Sequence, residues 1–374
     1  MKQHLIISAV CIALGLGASG QARDNDRDEA HAVFVMTNSA RHNEILAYHR
    51  GSGGTLEQSG RFDTGGRGSG GTTDPLGSQG SLTLSQDRSL LFAVNAGSGD
   101  ISVFRVKGDR LKLQDVVPSG GSAPVAIAQW DNLVYVLNVA GNSNVNGFRL
   151  NYAGELTPMH KSIRYLSTAN SGAASLAFSP DGKFLLVTEK LTNNIDVFPV
   201  QTDGTLGPAT ITHDAVPGTF AVTFAPDGTA LVVETGPSGG TNASMISSFL
   251  VQSGGTLMAL NSVPTLGAAT CWHVVTPDGR FVYTANSASS SVSGYSIVGA
   301  GNLSPLGGTI VASLPAGTTD LDVAVSSDGK FLYTLNSGNG TIGIFRINQD
   351  GTLTATGVAS DVLPGAGFNG IAAF

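Results

Sequence analysis

The chain has 374 residues, of which 41% are hydrophobic and 13% charged, with 50 glycines and a formal net charge of −7 at pH 7. The length and hydrophobic content allow a large core, whereas the negative net charge argues against a nucleic-acid partner, because phosphate binding requires a basic surface. No stretch beyond the N-terminus is long and apolar enough to predict a membrane-spanning helix.

The N-terminus has the pattern of a cleavable signal peptide. Lys2 is followed by an apolar run from Leu5 to Leu16, and small residues at Gly20 and Ala22 suit a cleavage site. We therefore predict a signal peptide over residues 1–22, a disordered lead-in over 23–31 and a periplasmic or secreted protein. Cleavage leaves Cys271 as the sole cysteine, so no internal disulfide is expected.

One unit recurs along the remaining chain. Strong copies begin at Ser175, Val222, His273 and Val323, weaker ones begin at Leu82 and Val125, and the strong copies share motifs such as SPDGKFLLVTEK and SSDGKFLYTLNS. The spacing is typical of β-propeller blades. Each unit predicts four short strands, with an Asp-Gly turn such as Asp181-Gly182 supplying the positive φ values of a tight hairpin.

The two ends of the chain complement each other. The copy from Val33 lacks a first strand, and the segment from Gly367 to Phe374 resembles a first strand with nothing after it. We therefore predict an all-β, seven-bladed propeller of four-stranded blades over residues 32–374, closed by a blade that both termini share.

Polar residues end every predicted second strand. Because the Asp-Gly turn lies on one face of the disc, these residues lie on the opposite face, around what we call the channel mouth. They are Asn38, Asn95, Asn138, Glu189, Glu234, Asn286 and Asn336. An Asn here also suits a local turn through its side chain. Glu does not form such a turn, so Glu189 and Glu234 are the stronger functional candidates, although Glu234 sits one place early in its repeat.

Further candidates lie beside this ring. His273, at the start of a first strand, has a side chain that can act as a base near neutral pH, with a structural histidine as the alternative. Since neighbours on a strand alternate, Trp272 and His273 cannot both face the channel. We predict Glu189, Glu234 and His273 as catalytic residues. The predicted substrate-binding residues are Asn38, Arg41, Asn95, Asn138, Asn286, Asn336 and Asp320.

No cofactor is predicted. No His/Cys cluster has zinc spacing, and Ca²⁺ among the Glu and Asn oxygens of the ring is kept as an alternative. The glycine-rich run TGGRGSGG from Thr64 lacks the ending of a phosphate-binding loop. It is better interpreted as part of a long mouth-side loop that partly covers the channel.

The motifs SPDGKFLLVTEKLTNNIDVF, CWHVVTPDGRFVYTAN and SSDGKFLYTLNSGNGTIGIF resemble the seven-bladed lactonase family, which includes propeller-type 6-phosphogluconolactonase and carboxy-muconate lactonizing enzyme. The resemblance extends from Val33 to Phe374. It implies a propeller that opens or closes a lactone ring at the channel mouth. Glu189 in VTEKL matches a glutamate of the family. The His and Arg that the family carries before strand one in the middle blades are replaced by SGAASLAF and PGTFAVTF.

Two functions therefore stand as hypotheses. The first is an exported enzyme that acts on a lactone, with Glu189 as general base or acid and Arg41 or the ring amides holding the substrate. The second is a non-catalytic exported propeller that binds a sugar, a peptide or a partner protein at the same mouth.

Overall fold

The computed structural model describes residues 31–374 except 238, 239 and 241. These residues contain no α-helix, and none of their elements is a helix long and apolar enough to span a membrane. The predicted signal peptide, and all of the predicted lead-in except His31, lie outside the described residues.

The strands form seven sheets, each a blade of the predicted propeller. In blades 2 to 7 the four strands follow one another outward from the centre, and blade 3 has a split outer edge. The strands of blades 1 to 3 are β1 (Ala32–Met36), β2 (Glu44–Arg50), β3 (Leu56–Asp63); β4 (Leu82–Leu84), β5 (Leu90–Asn95), β6 (Asp100–Lys107), β7 (Arg110–Pro118); β8 (Ser122–Trp130), β9 (Leu133–Ala140), β10 (Asn144–Leu150), β11 (Leu156–Pro158) and β12 (Arg164–Tyr165).

The remaining blades repeat this order, and the last strand returns to blade 1. They comprise β13 (Ala173–Phe178), β14 (Phe184–Glu189), β15 (Asn194–Pro199), β16 (Thr210–His213); β17 (Thr219–Phe224), β18 (Thr229–Glu234), β19 (Met245–Val251), β20 (Leu257–Pro264); β21 (Thr270–Val275), β22 (Phe281–Asn286), β23 (Ser291–Val298), β24 (Asn302–Ser313); β25 (Asp320–Val325), β26 (Phe331–Asn336), β27 (Thr341–Ile347), β28 (Leu353–Ala359) and β29 (Ile371–Ala373).

Blade 1 closes the ring as predicted. Its order is β29-β1-β2-β3, with Val33 opposite Ala373 and Val35 opposite Ile371. The innermost strands contact one another in the closed sequence β4, β8, β13, β17, β21, β25, β29 and back to β4. Between blades 1 and 7, Arg50 Nη2 lies 3.2 Å from Asp328 Oδ2. The innermost strands are the edges of their sheets, and the closed ring turns these short edges toward the central channel, where neighbouring blades cover them.

The Asp-Gly turns differ from the prediction in one respect. Gly182 has a φ of +68°, whereas Asp181 is not among the residues with positive φ. The Gly182 amide donates to the Ser179 carbonyl oxygen at 2.8 Å, and the Asp181 carboxylate accepts from the Ser179 hydroxyl at 2.7 Å. The prediction that both turn residues adopt positive φ is therefore wrong. Asp is used here because its side chain closes the turn, and Gly because it tolerates the left-handed conformation.

Neighbouring blades pack through buried aromatic side chains. Tyr135 and Tyr283, on second strands, are completely buried. Their hydroxyls donate to the carbonyl oxygens of Gly204 and Gly351, at 2.9 and 2.7 Å, in the outer turn of the following blade. Such a ring buries a large apolar area while its hydroxyl finds a partner. Each contact therefore sets the position of one blade against the next and fixes the geometry of the channel mouth.

Candidate functional site

All seven ring residues are buried, and six of them lie on second strands, whereas Asn38 follows β1 by two residues and has a φ of +50°. Glu234 lies opposite Thr219, Asn286 opposite Thr270, and Asn336 opposite Asp320. The offset of Glu234 in its sequence repeat therefore has no counterpart in strand register. It arises because the turn before its strand is one residue shorter: the Ala225 amide bonds to the Thr229 carbonyl oxygen, whereas in blade 4 the Ser179 amide bonds to that of Phe184.

Asn95 shows what the ring amides do structurally. Its Nδ2 donates to Asp100 Oδ1 and to Ser102 Oγ, both at 2.7 Å. Its Oδ1 accepts from Asn43 Nδ2 at 2.9 Å and from the Thr64 hydroxyl at 2.7 Å. The amide therefore ties its own blade to blade 1 and to the connection between the two blades.

Asn286 repeats this pattern in blade 6. Its Nδ2 donates to the hydroxyls of Ser291 and Ser293, at 3.1 and 2.8 Å, and its Oδ1 accepts from the Thr270 hydroxyl at 2.6 Å. The Thr270 hydroxyl lies 2.9 Å from that of Thr265, on the connection that enters the blade. The two amides thus hold the entering segment in the same way.

Two ring amides are less fully satisfied. Asn138 Nδ2 donates to Asn144 Oδ1 at 3.2 Å, and Asn336 Nδ2 donates to Thr341 Oγ1 at 3.0 Å. The Oδ1 atoms of both residues lack a hydrogen-bond partner among the described residues, as do both carboxyl oxygens of Asp320. Substrate binding by these side chains stays a prediction, and in this conformation they are buried.

Glu189 lies in a cage of donors. Its carboxylate accepts from the Ser167 backbone amide at 2.9 Å, from the Ser167 hydroxyl, from Thr192 Oγ1 at 2.5 Å and from Asn194 Nδ2 at 3.3 Å. These donors favour the charged carboxylate. Burial, together with the nearby charge of Glu189, raises the pKa of Asp196 to about 7.

Glu234 lies in a different environment. Its carboxyl is completely buried, and neither oxygen has a hydrogen-bond partner among the described residues. Burial raises its pKa well above the ordinary value, and the charge of Asp214 raises it further. Two neighbouring acidic groups that are both shielded from water cannot both ionise without a large cost in free energy. The two adjacent carboxyl positions of the ring therefore differ: Glu189 accepts four hydrogen bonds, whereas Glu234 accepts none from the described residues.

His273 is buried inside the wall. Its Nε2 lies 2.7 Å from the Thr223 hydroxyl, and Nδ1 has no hydrogen-bond partner in the described part of the chain. Burial lowers its pKa to about 3, so the ring is neutral at physiological pH. Its catalytic role stays a prediction. Trp272 instead donates from Nε1 to the Ser78 carbonyl oxygen at 2.9 Å, in agreement with the predicted alternation.

The glycine-rich segment forms a plug at the mouth, which we define as residues 64–80. A Cβ at Gly68 would lie 2.2 Å from the Asn38 carbonyl carbon, so this run packs against backbone and has no room for a phosphate. Gln79 Nε2 donates to the His273 carbonyl oxygen at 2.7 Å, on the far side of the ring. The prediction of a loop that covers the mouth agrees with this placement.

Arg41 and His42 follow Asn38 on the outside of the mouth and are exposed. The Arg41 backbone amide lies 3.4 Å from Ser39 Oγ, and His42 Nδ1 lies 3.9 Å from Asp63 Oδ2. A substrate-binding role for Arg41 stays a prediction.

A half-buried lysine that the sequence did not indicate packs on aromatic residues beside the plug. Lys190 Nζ lies 5.2 Å from the centroid of the Phe220 ring, which meets the Trp272 ring edge to face at 5.4 Å. Burial raises the pKa of Asp74, in the plug, and of the Cys271 thiol, on β21, and the charge of Lys190 acts against burial at both groups. Lys190 follows Glu189 directly, so the family resemblance pointed to the adjacent residue.

A model of the family described as "Lactonase, 7-bladed beta-propeller" matches residues 129–240 and 232–320, which together span about half of the chain. The chain belongs to this family. The match covers most of blades 3 to 6, the blades that carry Glu189, Glu234 and His273.

Solved structures of lactonase-family proteins share its fold. A provisionally named 6-phosphogluconolactonase from Bacteroides uniformis is 19% identical, with a TM-score of 0.70 and coverage of 92% of this chain and 99% of the other. The periplasmic gluconolactonase of Pseudomonas aeruginosa is 17% identical, with a TM-score of 0.69 and coverage of 92% and 98%. At these identities the likeness establishes the fold. Among curated proteins none matches this chain in sequence.

Proposed function

We propose that this lactonase-family propeller opens the ring of a lactone with water at its channel mouth. The observation that carries the proposal is the family match over the blades in which the mouth holds its acidic groups. The P. aeruginosa neighbour is a periplasmic gluconolactonase, which supports both the substrate class and the export that the N-terminal sequence predicts.

Hydrolysis of a lactone needs a base that activates water and a positive or hydrogen-bonding group for the oxyanion. Glu189 is the base that the family resemblance suggests. Its Oε2 accepts three hydrogen bonds and its Oε1 accepts one, so Oε1 is the oxygen with capacity left to accept a proton from water. Glu234 and His273 remain candidates that require the wall of the channel to open, since both are completely buried.

The substrate we propose is a lactone without a phosphate group. Phosphorylated sugar lactones are cytoplasmic metabolites, and the chain carries only 20 Lys and Arg residues against 27 acids. Beside the plug, the Lys190 ammonium lies over the Phe220 ring. One ammonium group suits a carbonyl oxygen better than a doubly charged phosphate, which usually recruits several donors.

The test is hydrolysis of glucono-δ-lactone, δ-valerolactone and a muconolactone by the purified mature protein, measured above the spontaneous rate. We expect turnover of at least one of them. Glu189→Gln tests the predicted base, with Glu57→Gln, on the exposed face of blade 1, as the matched control. Loss of turnover in Glu189→Gln alone would support that base, and unchanged turnover would remove Glu189 from the mechanism.

The plug supports a second candidate function, a binding protein without catalysis. Residues 64–80 fill the place where a substrate would enter, and Ser78 and Gln79 are bonded to three different blades. Absence of turnover with every lactone by folded protein, together with saturable binding of a sugar or peptide, would favour this function over hydrolysis.

A further inference from the structure

A groove with a volume of about 440 Å³ lies between blades 2 and 3. Most of its polar residues come from the turns that join β4 to β5, β8 to β9 and β10 to β11, and Leu90 and Leu150 add apolar surface. These turns lie on the face of the disc opposite the channel mouth, because they join first strands to second strands and third strands to fourth. The groove is therefore separate from the residues considered for lactone hydrolysis.

Two glutamine side chains fix the shape of this groove. The Gln86 backbone amide donates to Gln129 Oε1 at 2.9 Å, and the Asp131 backbone amide donates to Gln86 Oε1 at 2.9 Å. The Gln129 side-chain amide in turn donates to the Asp131 carbonyl oxygen. The turn of blade 2 is thus bonded to the turn of blade 3, and a ligand would meet a site that is already formed.

Three polar groups of the groove have hydrogen-bonding capacity left. The Asp131 carboxylate, Gln86 Nε2 and Asn132 Nδ2 make no hydrogen bond within the described part of the chain. The other end of the Asn132 side chain is held, because its Oδ1 accepts from Arg149 Nη1 at 2.8 Å. One charged acceptor beside two amide donors suits a ligand rich in hydroxyl groups, which both donate and accept hydrogen bonds.

Tyr152 adds an aromatic ring to the lining of the groove. Its relative exposure is 104%, against 65% for Tyr165 on the outer edge of the same blade. The backbone beneath the ring is held in place, because the Tyr152 carbonyl oxygen accepts from Arg105 Nη2 at 2.8 Å and Asn151 Oδ1 accepts from the Glu155 amide at 2.9 Å. A fully exposed aromatic ring on a fixed backbone offers its face to the apolar surface of a ligand.

Two equivalent grooves on the same face lack this combination. Between blades 4 and 5 the corresponding turns carry Pro180 and Pro226, whose side chains have no hydrogen-bonding group. Between blades 6 and 7 the Arg280 guanidinium is already paired with Asp278, with Nε and Oδ2 2.7 Å apart. Among these three grooves, unpaired polar groups beside a fully exposed aromatic ring are thus particular to the one between blades 2 and 3.

We propose that the groove between blades 2 and 3 binds a neutral saccharide, at a site that is independent of the lactone hydrolysis proposed above. A pyranose ring has an apolar C–H face, which packs against the Tyr152 ring. Its hydroxyl groups bond to the Asp131 carboxylate and to the two free amide groups. Asp87 and Asp131 outnumber Arg105 among the charged residues of the groove, so an anionic sugar is disfavoured.

Saturation-transfer difference NMR and calorimetry with methyl glycosides test this site on the mature protein. The probes are methyl α-D-glucopyranoside, methyl β-D-galactopyranoside and methyl N-acetyl-β-D-glucosaminide, with methyl β-D-glucuronide as the anionic comparison. We expect at least one neutral glycoside to bind, with the largest saturation transfer at C–H protons on one face of the sugar ring. The glucuronide should bind more weakly than the glucoside.

Tyr152→Ala should weaken the association by about 10-fold or more, because it removes the stacking surface. Asp131→Asn should weaken it by about 10-fold, because a hydrogen bond to a charged acceptor is lost. Tyr165→Ala and Asp361→Asn, which change exposed residues outside the groove, are the matched controls and should bind as the wild type does. Unfolding midpoints of all four variants, measured in parallel, separate loss of binding from loss of folding.

Binding that is undiminished in Tyr152→Ala would overturn this proposal, as would the absence of binding by every neutral glycoside. Equal loss in Tyr165→Ala would place the sugar elsewhere on blade 3 and would also contradict it. Lactone turnover is no part of the readout. A failure here therefore leaves the proposed hydrolysis standing, and a protein without lactone turnover can still bind a glycoside in this groove.

Discussion

Asp320 is a completely buried acid at the channel mouth. It lies opposite Asn336, and neither carboxyl oxygen of Asp320 nor the amide oxygen of Asn336 has a partner among the described residues. At the same level of blade 6, Thr270 donates its hydroxyl to Asn286 Oδ1 at 2.6 Å. Asp320 can donate to Asn336 in this way only when protonated, and burial raises its pKa well above the ordinary value.

Asp320→Asn should therefore stabilise the protein at alkaline pH. The wild-type carboxyl keeps its proton in the folded state and loses it near pH 4 when unfolded, so its contribution to stability falls as pH rises above about 4. An amide has no such dependence. Urea unfolding at pH 5 and pH 8 should show a variant more stable by about 1–3 kcal/mol at pH 8, with a smaller difference at pH 5. Equal pH dependence in both proteins would show that Asp320 is ionised.

For single residues, the sequence predicted where a side chain lies in the fold better than it predicted which groups that side chain contacts. Periodicity predicted seven polar residues around the mouth, and six of them lie on second strands, because strand order follows from the repeat. Whether Glu189 meets four donors, or Glu234 meets another acid, depends on the connections that enter each blade, such as those carrying Ser167 and Asp214. Those connections have no repeating pattern, so the difference between the two carboxyls could not be predicted.

In blades 2, 4 and 6 the connection into the blade is held by the end of that blade's second strand. Thr64 bonds to Asn95, Thr265 reaches Asn286 through Thr270, and Ser167 bonds to Glu189. The side chain at the end of the second strand thus contacts both its own blade and the segment that leads into that blade. The ring of amides is therefore a mechanical feature of the blades as well as the rim of the mouth.

Asn95→Ala and Asn336→Ala provide a matched pair for this interpretation. Asn95 satisfies two donors and two acceptors, so its loss should lower the free energy of unfolding by about 3 kcal/mol. Asn336 makes one hydrogen bond through Nδ2 and leaves Oδ1 unpaired, so its loss should cost about 1 kcal/mol. Urea unfolding curves measure both values. A cost for Asn336→Ala equal to that for Asn95→Ala would contradict the connection-holding role.

The plug depends on glycine where it passes Asn38. At Gly68 an added Cβ would meet the Asn38 carbonyl carbon at 2.2 Å, whereas at Gly357 it would meet nothing within 4 Å. Gly68→Ala should loosen the plug, and trypsin should then cut faster after the exposed Arg67. Gly357→Ala should leave cleavage at the wild-type rate. Protection of Arg67 in both variants would mean that the plug tolerates the added methyl group.

At the scale of elements, the repeat predicted the blades and the hairpin positions, because alternating apolar residues and Asp-Gly turns are local signals. The conformation of the turn at Asp181-Gly182 depends on a hydrogen bond between Ser179 and Asp181. The Asp-Gly dipeptide alone does not predict this hydrogen bond. The path of the plug was beyond prediction for another reason: its partners, such as Trp272 and His273, lie nearly 200 residues away.

The whole molecule depends on a very short closing strand. Strand β29 spans Ile371–Ala373 and supplies the inner edge of blade 1. The Phe374 backbone also exchanges hydrogen bonds with Ala32, at 3.0 and 3.2 Å. Without these residues β1 becomes an open edge, and the inner ring has a gap between β25 and β4.

Removal of residues 371–374 should abolish the single cooperative unfolding transition and promote association through β1. Calorimetry and size-exclusion chromatography measure these two effects. A chain that begins at residue 31 is the control, since β1 is intact there, and it should unfold in one transition. A monomeric truncated protein with the midpoint of the control would show that six complete blades hold blade 1 without its inner strand.

The shared blade also sets an order of events during synthesis. The outer three strands of blade 1 leave the ribosome about 300 residues before the strand that completes them. Until then the nascent chain carries an unpaired strand edge, which is the surface that chaperones and proteases recognise. A chain that terminates early keeps that edge permanently. Pairing of β29 with β1 is therefore the step that covers this edge. We expect a molecule that has made this pairing to resist proteolysis better than one that lacks the strand.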